Sequence, residues 1–199
     1  MTGKGSLNHN SRKFHAKNTD PNRTHWNVEY CNEDIKDVYH ELFDEALKRY
    51  NDKQTRKDRK IDDYYEKIRS GKQEKLFHEV ILQIGDKDNM GSETMEGQLA
   101  AKILDEYMKG FQERNPTLRV FAAHLHLDEA TPHLHIDFIP YVTGSKRGLD
   151  TRVSLKQALS SLGFKGGSRS ETELNQWVQS EKQKLAMVMR ENEIEWDQK

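Results

Sequence analysis

Four of the nine histidines in this 199-residue chain lie between His124 and His135. Three of them, His126, His133 and His135, form the pattern H-x2-E-x3-H-x-H with Glu129. Side chains two residues apart on a β-strand point to the same face, so His133 and His135 share one face. His126 ends the preceding predicted strand and can present its ring to the same point. Three neutral imidazoles that converge from two strands predict a divalent metal site with open positions for water and substrate.

The polar residues around this pattern allow more than one role. A single histidine in a strand is usually structural, and this is our interpretation of His78. Three converging rings without a shared ligand would instead compete for hydrogen-bond partners. His124 shares a strand face with His126 and could be a fourth ligand or orient one, although a structural role is favoured. Asp137 continues the face of His133 and either accepts the second N–H of a ligand or is exposed.

The charge balance sets limits on the kind of protein this is. The chain has 32 basic and 33 acidic residues and a net charge of -1, so a DNA-binding face would have to be local. The N-terminal stretch predicts such a face, with Lys4, Arg12, Lys13, Lys17 and Arg23. The single cysteine, Cys31, excludes an intrachain disulfide and fits a reducing cytosol. No stretch is apolar enough for a signal peptide or a transmembrane helix.

Hydrophobic periodicity predicts the elements that must position the histidines. Helices are expected at 35–50, 61–68 and 174–189. A further helix is expected to begin after Ser92 as its N-cap and to stop at 115–116, and a short helix is expected to start near 153. Strands are expected at 76–84, 119–127 and 133–141. The link between the last two strands is too short for a parallel crossover, so we expect them to pair antiparallel.

Three segments resemble motifs of one family. The sequence HLDEATPHLHIDFIP, from His126 to Pro140, resembles the third motif of the MobV plasmid mobilization relaxases, also called plasmid recombination (Pre/Mob) enzymes, of the HUH endonuclease superfamily. HUH alone is too short to be specific, but the preceding HxDExTP makes the signal strong. The sequence HNSR that starts at His9 is similar to the HNxR motif of the group, and RTHWN, from Arg23 to Asn27, is similar to its RxHxN element.

The resemblance implies an α+β fold, with a central antiparallel β-sheet flanked by helices and a metal site on one sheet face. It implies that residues 1–199 form a single relaxase domain without the family's C-terminal region. It further implies a bacterial, cytoplasmic enzyme that nicks and rejoins one strand at an origin of transfer. The implied cofactor is Mn²⁺, or Mg²⁺ or another divalent ion. The implied partners are single-stranded or supercoiled DNA and the conjugation machinery, with no membrane.

The resemblance, the strand geometry and the chemistry of attack on a phosphodiester together suggest roles for residues. His9 would be the nucleophile and would form a phosphoramidate bond to the 5′ phosphate. An imidazole with its ordinary pKa of about 6.5 is mostly neutral at neutral pH, so one of its nitrogens has a free lone pair for attack. Glu129 would orient this nucleophile or accept its proton. The metal ligands would be His126, His133 and His135. The DNA-binding residues would be Asn10, Arg12, Arg23, His25, Asn27 and Arg69, where His25 and Asn27 also support the N-terminal segment.

Some features leave alternatives open. Family members usually have a strand before HNxR, and residues 1–8 are too short and polar to predict one. A replication initiator or relaxase of the same fold could attack with Tyr30, Tyr64 or Tyr65 instead. A metal-dependent oxygenase with three histidines on a sheet would not nick DNA, and the HNxR match argues against it. In a DNA-binding module with a structural metal, chelation would unfold the protein.

Overall fold

The computed structural model describes residues 2–3, 6–14 and 16–194. Its helices are α1 (Leu7–Asn10), α2 (Ile35–Asp52), α3 (Tyr64–Ser70), α4 (Met95–Lys109), α5 (Phe111–Arg114), α6 (Leu155–Ser161) and α7 (Glu173–Glu191). Its strands are β1 (Thr2–Gly3), β2 (Val28–Asn32), β3 (His78–Gln83), β4 (Leu118–His126), β5 (His133–Val142) and β6 (Arg152–Val153). Among these described residues, no helix is both long and apolar enough to cross a membrane.

The strands form one antiparallel sheet in the order β1-β3-β5-β4-β2, and β6 pairs with the outer end of β5. This confirms the predicted α+β class and the antiparallel pairing of β4 with β5. In that register His126 lies opposite His133, and His124 lies opposite His135. Because side chains alternate along each strand, all four histidines lie on the same sheet face.

Helices cover both faces of the sheet. The larger core contains Val80, Leu125, Leu134 and Phe138 from the sheet and is covered by α4 to α7. The smaller core lies on the opposite face, where Phe43 of α2 packs with Phe121 and Ile139, and α3 contributes partly buried residues. The histidine cluster is on this second face, at the end of β5 that α2 and α3 leave uncovered. The helices therefore fill the rest of the face and leave the histidine end to the N-terminal segment.

Two sequence expectations about local structure were wrong. Residues 1–8 were expected to form no strand, but Thr2 and Gly3 pair with Val80 and Glu79 of β3. A free sheet edge accepts any extended backbone, so two polar residues suffice for this pairing. Ser92 does not cap α4, because the cap is Thr94, whose side chain accepts a hydrogen bond from the Gly97 N–H.

His78 lies on the sheet face opposite the histidine cluster, as expected for a structural residue, and its ring stacks on Phe138 at 6.1 Å. Burial, with a smaller contribution from the charge of Lys75, lowers the pKa of His78 to about 4. The folded-state pKa is below the unfolded value of about 6.5, so the unfolded chain binds more protons. The contribution of His78 to folding stability is therefore fully present above the unfolded-state pKa. It is lost as the pH falls toward the folded-state pKa.

We expect a His78→Phe variant to lose less stability than the wild type between about pH 7 and about pH 5, by on the order of 1–2 kcal/mol. Urea unfolding at the two pH values measures this difference. His40 is the control, because its hydrogen bond to Asp44 raises its pKa. His40→Gln should change the pH dependence in the opposite direction. Equal pH dependence in His78→Phe and the wild type would contradict the prediction.

Candidate functional site

His126, His133 and His135, which we call the triad, converge at one point on the sheet face. Their ring centroids are 5.2, 4.9 and 5.0 Å apart, and one nitrogen of each ring lies within 4.8 Å of the other two. The i, i+2 spacing on β5 and the β4–β5 register produce this convergence. The geometry is the one predicted from the sequence.

The hydrogen bonds of the triad are those of a metal site. The outer nitrogen of each ring is already bound: Nε2 of His126 to the Asn10 carbonyl at 2.8 Å, and Nδ1 of His133 to the Thr131 carbonyl at 2.9 Å. Nδ1 of His135 is bound to Glu79 Oε1 at 2.8 Å. Since carbonyls and carboxylates accept, these nitrogens donate, and the opposite nitrogen of each neutral ring keeps its lone pair.

Two of these lone pairs lack partners among the described residues. His126 Nδ1 and His135 Nε2 are buried and make no hydrogen bond. Burial also lowers the pKa of His126 to about 3 and lowers that of His135, so both rings are held in the neutral form that binds metals. An orphaned buried nitrogen is costly unless a ligand occupies it, so the donor set fits a divalent cation.

Glu79 is a part of the site that the sequence analysis missed. It is buried on β3, accepts the hydrogen bond from His135, and accepts a second one from Asn10 Nδ2 at 2.8 Å. The same amide donates to Asp137 at 3.0 Å. Asp137 is not exposed, and it accepts no hydrogen bond from a triad histidine. Both roles that the sequence analysis considered for Asp137 are therefore wrong. Burial raises the pKa of Asp137 to about 7.

A signal for Glu79 was available. It is the one carboxylate in the apolar strand sequence LFHEVILQI, and a charged side chain inside a buried strand needs a specific partner. The pairing of β3 with β5, which could not be derived from the sequence, places Glu79 opposite Asp137 and within hydrogen-bond distance of His135.

A Glu79→Ala variant is expected to bind Mn²⁺ about 10–100-fold more weakly, because the His135 ring loses the group that fixes its tautomer and orientation. Isothermal titration with Mn²⁺ measures the affinity. Glu79→Gln keeps an acceptor oxygen, so its affinity for Mn²⁺ should lie between those of Glu79→Ala and the wild type. Glu66→Ala, which removes an exposed carboxylate on α3, is the matched control. Unchanged affinity in a folded Glu79→Ala protein would contradict the assigned role.

His9 lies beside the triad, on α1. Its ring centroid is 6.1 Å from that of His126 and 6.3 Å from that of His135. Its Nε2 is 3.5 Å from Glu129 Oε1 and 3.3 Å from an Arg12 nitrogen. A surface cavity of about 340 Å³ opens at this place and is lined by His9, Asn18, Gln83, Glu129, Thr131 and two of the triad histidines. The site therefore has room for a phosphate group between His9 and the triad.

Glu129 lies between His9 and the triad. Its Oε1 is 3.6 Å from His133 Nε2 and accepts from Arg12 at 2.8 Å, while its Oε2 accepts from Asn18 at 2.7 Å. Burial raises the pKa of Glu129, but His133 and Arg12 together outweigh it and hold the pKa at about 2. A carboxyl group with such a low pKa is a weak proton acceptor, which favours an orienting role.

Arg12 has its charge satisfied within the protein. Its guanidinium forms ion pairs with Asp128 and Glu129, and its side chain is only 8% exposed. The backbone of Arg12 is left-handed, with φ 53°, which costs a residue with a side chain roughly 1–2 kcal/mol. These carboxylate contacts offset that cost. Asp128, which the sequence analysis did not single out, thus ties the N-terminal segment to the β4–β5 connection.

The other predicted DNA-binding residues either contact the site or the β4–β5 connection, or are exposed at the surface. Arg23 donates to the carbonyls of Leu127 and Glu129, and Asn27 Oδ1 accepts from two backbone N–H groups of the same connection. His25 is exposed, with its ring beside Trp26. Asn10 is buried beneath the site. Arg69 is exposed on α3 and pairs with Glu66. Lys4, in the predicted basic stretch, is outside the described residues.

Arg23 and Asn27 therefore hold the β4–β5 connection in place. Their side chains contact the backbone of that connection, so the apolar β4 strand leads into a fixed turn that carries Glu129. The predicted contacts of all six residues with DNA stay predictions.

His124 is not one of the three converging rings, although its ring centroid is 6.1 Å from that of His126, and the three tyrosines make their contacts elsewhere. His124 Nε2 is 3.2 Å from Glu29 Oε2, and His124 is not part of the triad. The Tyr30 hydroxyl donates to Asp105 at 2.7 Å, and the Tyr64 hydroxyl accepts from the backbone N–H of Val153. The Tyr65 ring packs against Tyr39 in the smaller core. The described contacts of these tyrosines are structural.

Comparisons with known proteins concern the family and the fold. The model of the plasmid recombination enzyme family (Mob_Pre) matches residues 5–186. The comparison with curated proteins gave no match.

Among solved structures, two crystal structures of the MobM relaxase domain (MOBV; Mob_Pre) have the same fold. Both are Mn-bound and hold 22-nucleotide oriT DNA of plasmid pMV158. The first is 23% identical, covers 97% of this chain and 81% of its own, and has a TM-score of 0.52. The second is 21% identical, covers 100% and 88% of the two chains, and has a TM-score of 0.54.

Proposed function

Because the chain belongs to the plasmid recombination enzyme family, we propose that it is a metal-dependent relaxase, which nicks and rejoins one strand of plasmid DNA at an origin of transfer. The observation that carries this proposal is the position of His9. Its ring centroid lies 6.1 and 6.3 Å from those of His126 and His135, which leaves space for a phosphate group beside three nitrogens that could hold a cation. The oriT DNA in the MobM complexes supports DNA of this kind as the substrate.

The proposed cofactor is Mn²⁺, held by His126 Nδ1, His133 Nε2 and His135 Nε2. The two orphaned nitrogens support this ligand set, and the MobM structures are Mn-bound. When bound, the ion would neutralise charge that develops on a non-bridging phosphate oxygen. Mg²⁺ or another divalent ion stays possible, since imidazole ligands accept several metals.

His9 is the proposed nucleophile. The unprotonated nitrogen of its neutral ring attacks the phosphorus, the bond from phosphorus to the 3′ oxygen breaks, and the 5′ phosphate becomes bound to His9. The 3′ oxygen leaves and takes up a proton from water to become a free hydroxyl, and the second ring nitrogen of His9 gives up its proton to water. The reverse attack of that hydroxyl rejoins the strand. A positioned nucleophile gains effective concentration, which explains why the protein fixes α1 on the sheet through Asn10.

Glu129 is proposed to orient the His9 ring rather than to take its proton. The distance of 3.5 Å from its Oε1 to His9 Nε2 supports this, as does its low pKa. Its negative charge would also stabilise the ring when the ring gains positive charge during attack. Arg12 and Asn18 hold the carboxylate in place, so Arg12 acts first through Glu129 and the predicted phosphate contact of Arg12 is secondary.

The test is incubation of the protein with supercoiled plasmid that carries its own origin of transfer, in Mn²⁺ or Mg²⁺. The expected products are relaxed plasmid and a DNA strand linked to the protein through a 5′ phosphate. Plasmid with the origin deleted is the control and should stay supercoiled. A protein that is folded and loaded with Mn²⁺, but gives neither product, would refute the proposed function. A cytoplasmic location and contact with the conjugation machinery stay predictions.

A further inference from the structure

Phe14 is a large apolar side chain in an unusual place. It is 50% exposed and packs in neither hydrophobic core. Single exposed apolar residues are common on protein surfaces and usually need no explanation. Phe14 differs because its ring lies 6.0 Å from the ring of His9, at an interplanar angle of 49°. The exposed aromatic face is therefore next to the proposed nucleophile.

The backbone places Phe14 there by a defined turn. After α1, the Arg12 N–H bonds to the His9 carbonyl, and the Lys13 N–H bonds to the Asn8 carbonyl. This pair of hydrogen bonds, with a left-handed residue at Arg12, is a Schellman motif, which usually has glycine at that position. The turn reverses the chain, so Phe14 folds back over His9. The ion pairs of Arg12 with Asp128 and Glu129 hold this strained turn in place.

We propose that Phe14 is a stacking platform for the base of a nucleotide that flanks the scissile phosphate. This inference rests on the proposed function and adds a positioning contact to it. Aromatic side chains bind single-stranded DNA by stacking on bases, and the contact is sequence-tolerant because every base has a π-face. A base stacked on Phe14 would keep its own phosphate near His9, at the edge of the cavity that His9 and Glu129 line.

The test is a cycle that combines a protein change with a DNA change. The probe is a single-stranded oligonucleotide that spans the nick mapped with the wild-type protein. Two further probes carry an abasic site at one or the other nucleotide beside that nick. The dissociation constants of wild type and Phe14→Ala are measured by fluorescence anisotropy in EDTA. EDTA removes the metal that cleavage requires, so the probe stays intact during the measurement. Coupling between neighbouring groups appears as non-additivity in such a cycle.

With the intact probe, Phe14→Ala is expected to bind on the order of tenfold more weakly than the wild type. With one of the abasic probes, the wild type should lose a similar factor, while Phe14→Ala should lose little more. The salt dependence of binding should be equal in both proteins, because no phosphate contact is removed. Phe14→Trp should restore binding. Met187→Ala is the matched control, since Met187 is 49% exposed on α7, on the other side of the sheet.

Additive losses with both abasic probes would overturn the inference, as would equal affinity of wild type and Phe14→Ala for the intact probe. Either result leaves the proposed function in place if the wild type still nicks its plasmid. A folded, Mn²⁺-loaded wild type that does not nick the plasmid, so that no nick can be mapped, would instead refute the proposed function itself. Because Phe14 lies outside both cores, the alanine variant should keep the wild-type melting temperature, and Phe14→Leu is a second variant if it does not.

Discussion

A His9→Ala variant is expected to form no covalent complex with DNA and to nick plasmid at least about 10³-fold more slowly than the wild type. The reason is that the His9 imidazole lies beside both the triad and Glu129, where an attacking nitrogen would face the phosphate. Its affinity for Mn²⁺ should be nearly unchanged, because all three proposed ligands remain. The variant should thus separate attack from metal binding.

Denaturing gels with labelled DNA measure the covalent complex of the wild type. A phosphoramidate is labile in acid, while a bond to tyrosine survives acid much better, so acid treatment should release the labelled strand. His40→Ala, which removes an exposed histidine on α2, is the control and should form the complex normally. An acid-stable complex, or one that persists in His9→Ala, would exclude histidine as nucleophile and make Tyr30→Phe, Tyr64→Phe and Tyr65→Phe the next variants to test.

The second large effect is expected when the triad is removed. A variant with both His133→Ala and His135→Ala should lose measurable Mn²⁺ binding and all nicking, since one imidazole and the nearby carbonyls cannot hold the ion. Isothermal titration and plasmid relaxation measure the two losses. His124→Ala is the matched control, because His124 lies on the same sheet face but outside the triad. It should keep most of the metal affinity.

Chelation of the wild type separates a catalytic metal from a structural one. The two cores are built from apolar residues away from the triad, so EDTA should abolish nicking and leave the circular dichroism spectrum unchanged. Added Mn²⁺ should restore activity. Unfolding on chelation would favour a DNA-binding module with a structural metal. Metal affinity that survives in the double variant would show that the ligands are elsewhere.

The sequence by itself determined the triad. The i, i+2 spacing of His133 and His135 places both rings on one face of β5, and the short connection after His126 allows only an antiparallel pair. Both arguments use contacts between residues close in the chain, where strand geometry leaves few alternatives. The α+β class followed in the same way from local periodicity together with the family motifs. The long helices α2 and α7 were predicted correctly for that reason, while the single helix predicted from Ser92 to 115–116 is capped by Thr94 and divided at Gly110 into α4 and α5.

The tertiary structure alone decided what surrounds the triad. Glu79 orients His135 across the β3–β5 pairing, and Asp137 is buried beside it under Asn10. Arg12, whose predicted phosphate contact stays a prediction, forms ion pairs with Asp128 and Glu129. These partners are 56 to 127 residues apart in the chain. No local pattern specifies such contacts, because they depend on strand order and on where the N-terminal segment crosses the sheet.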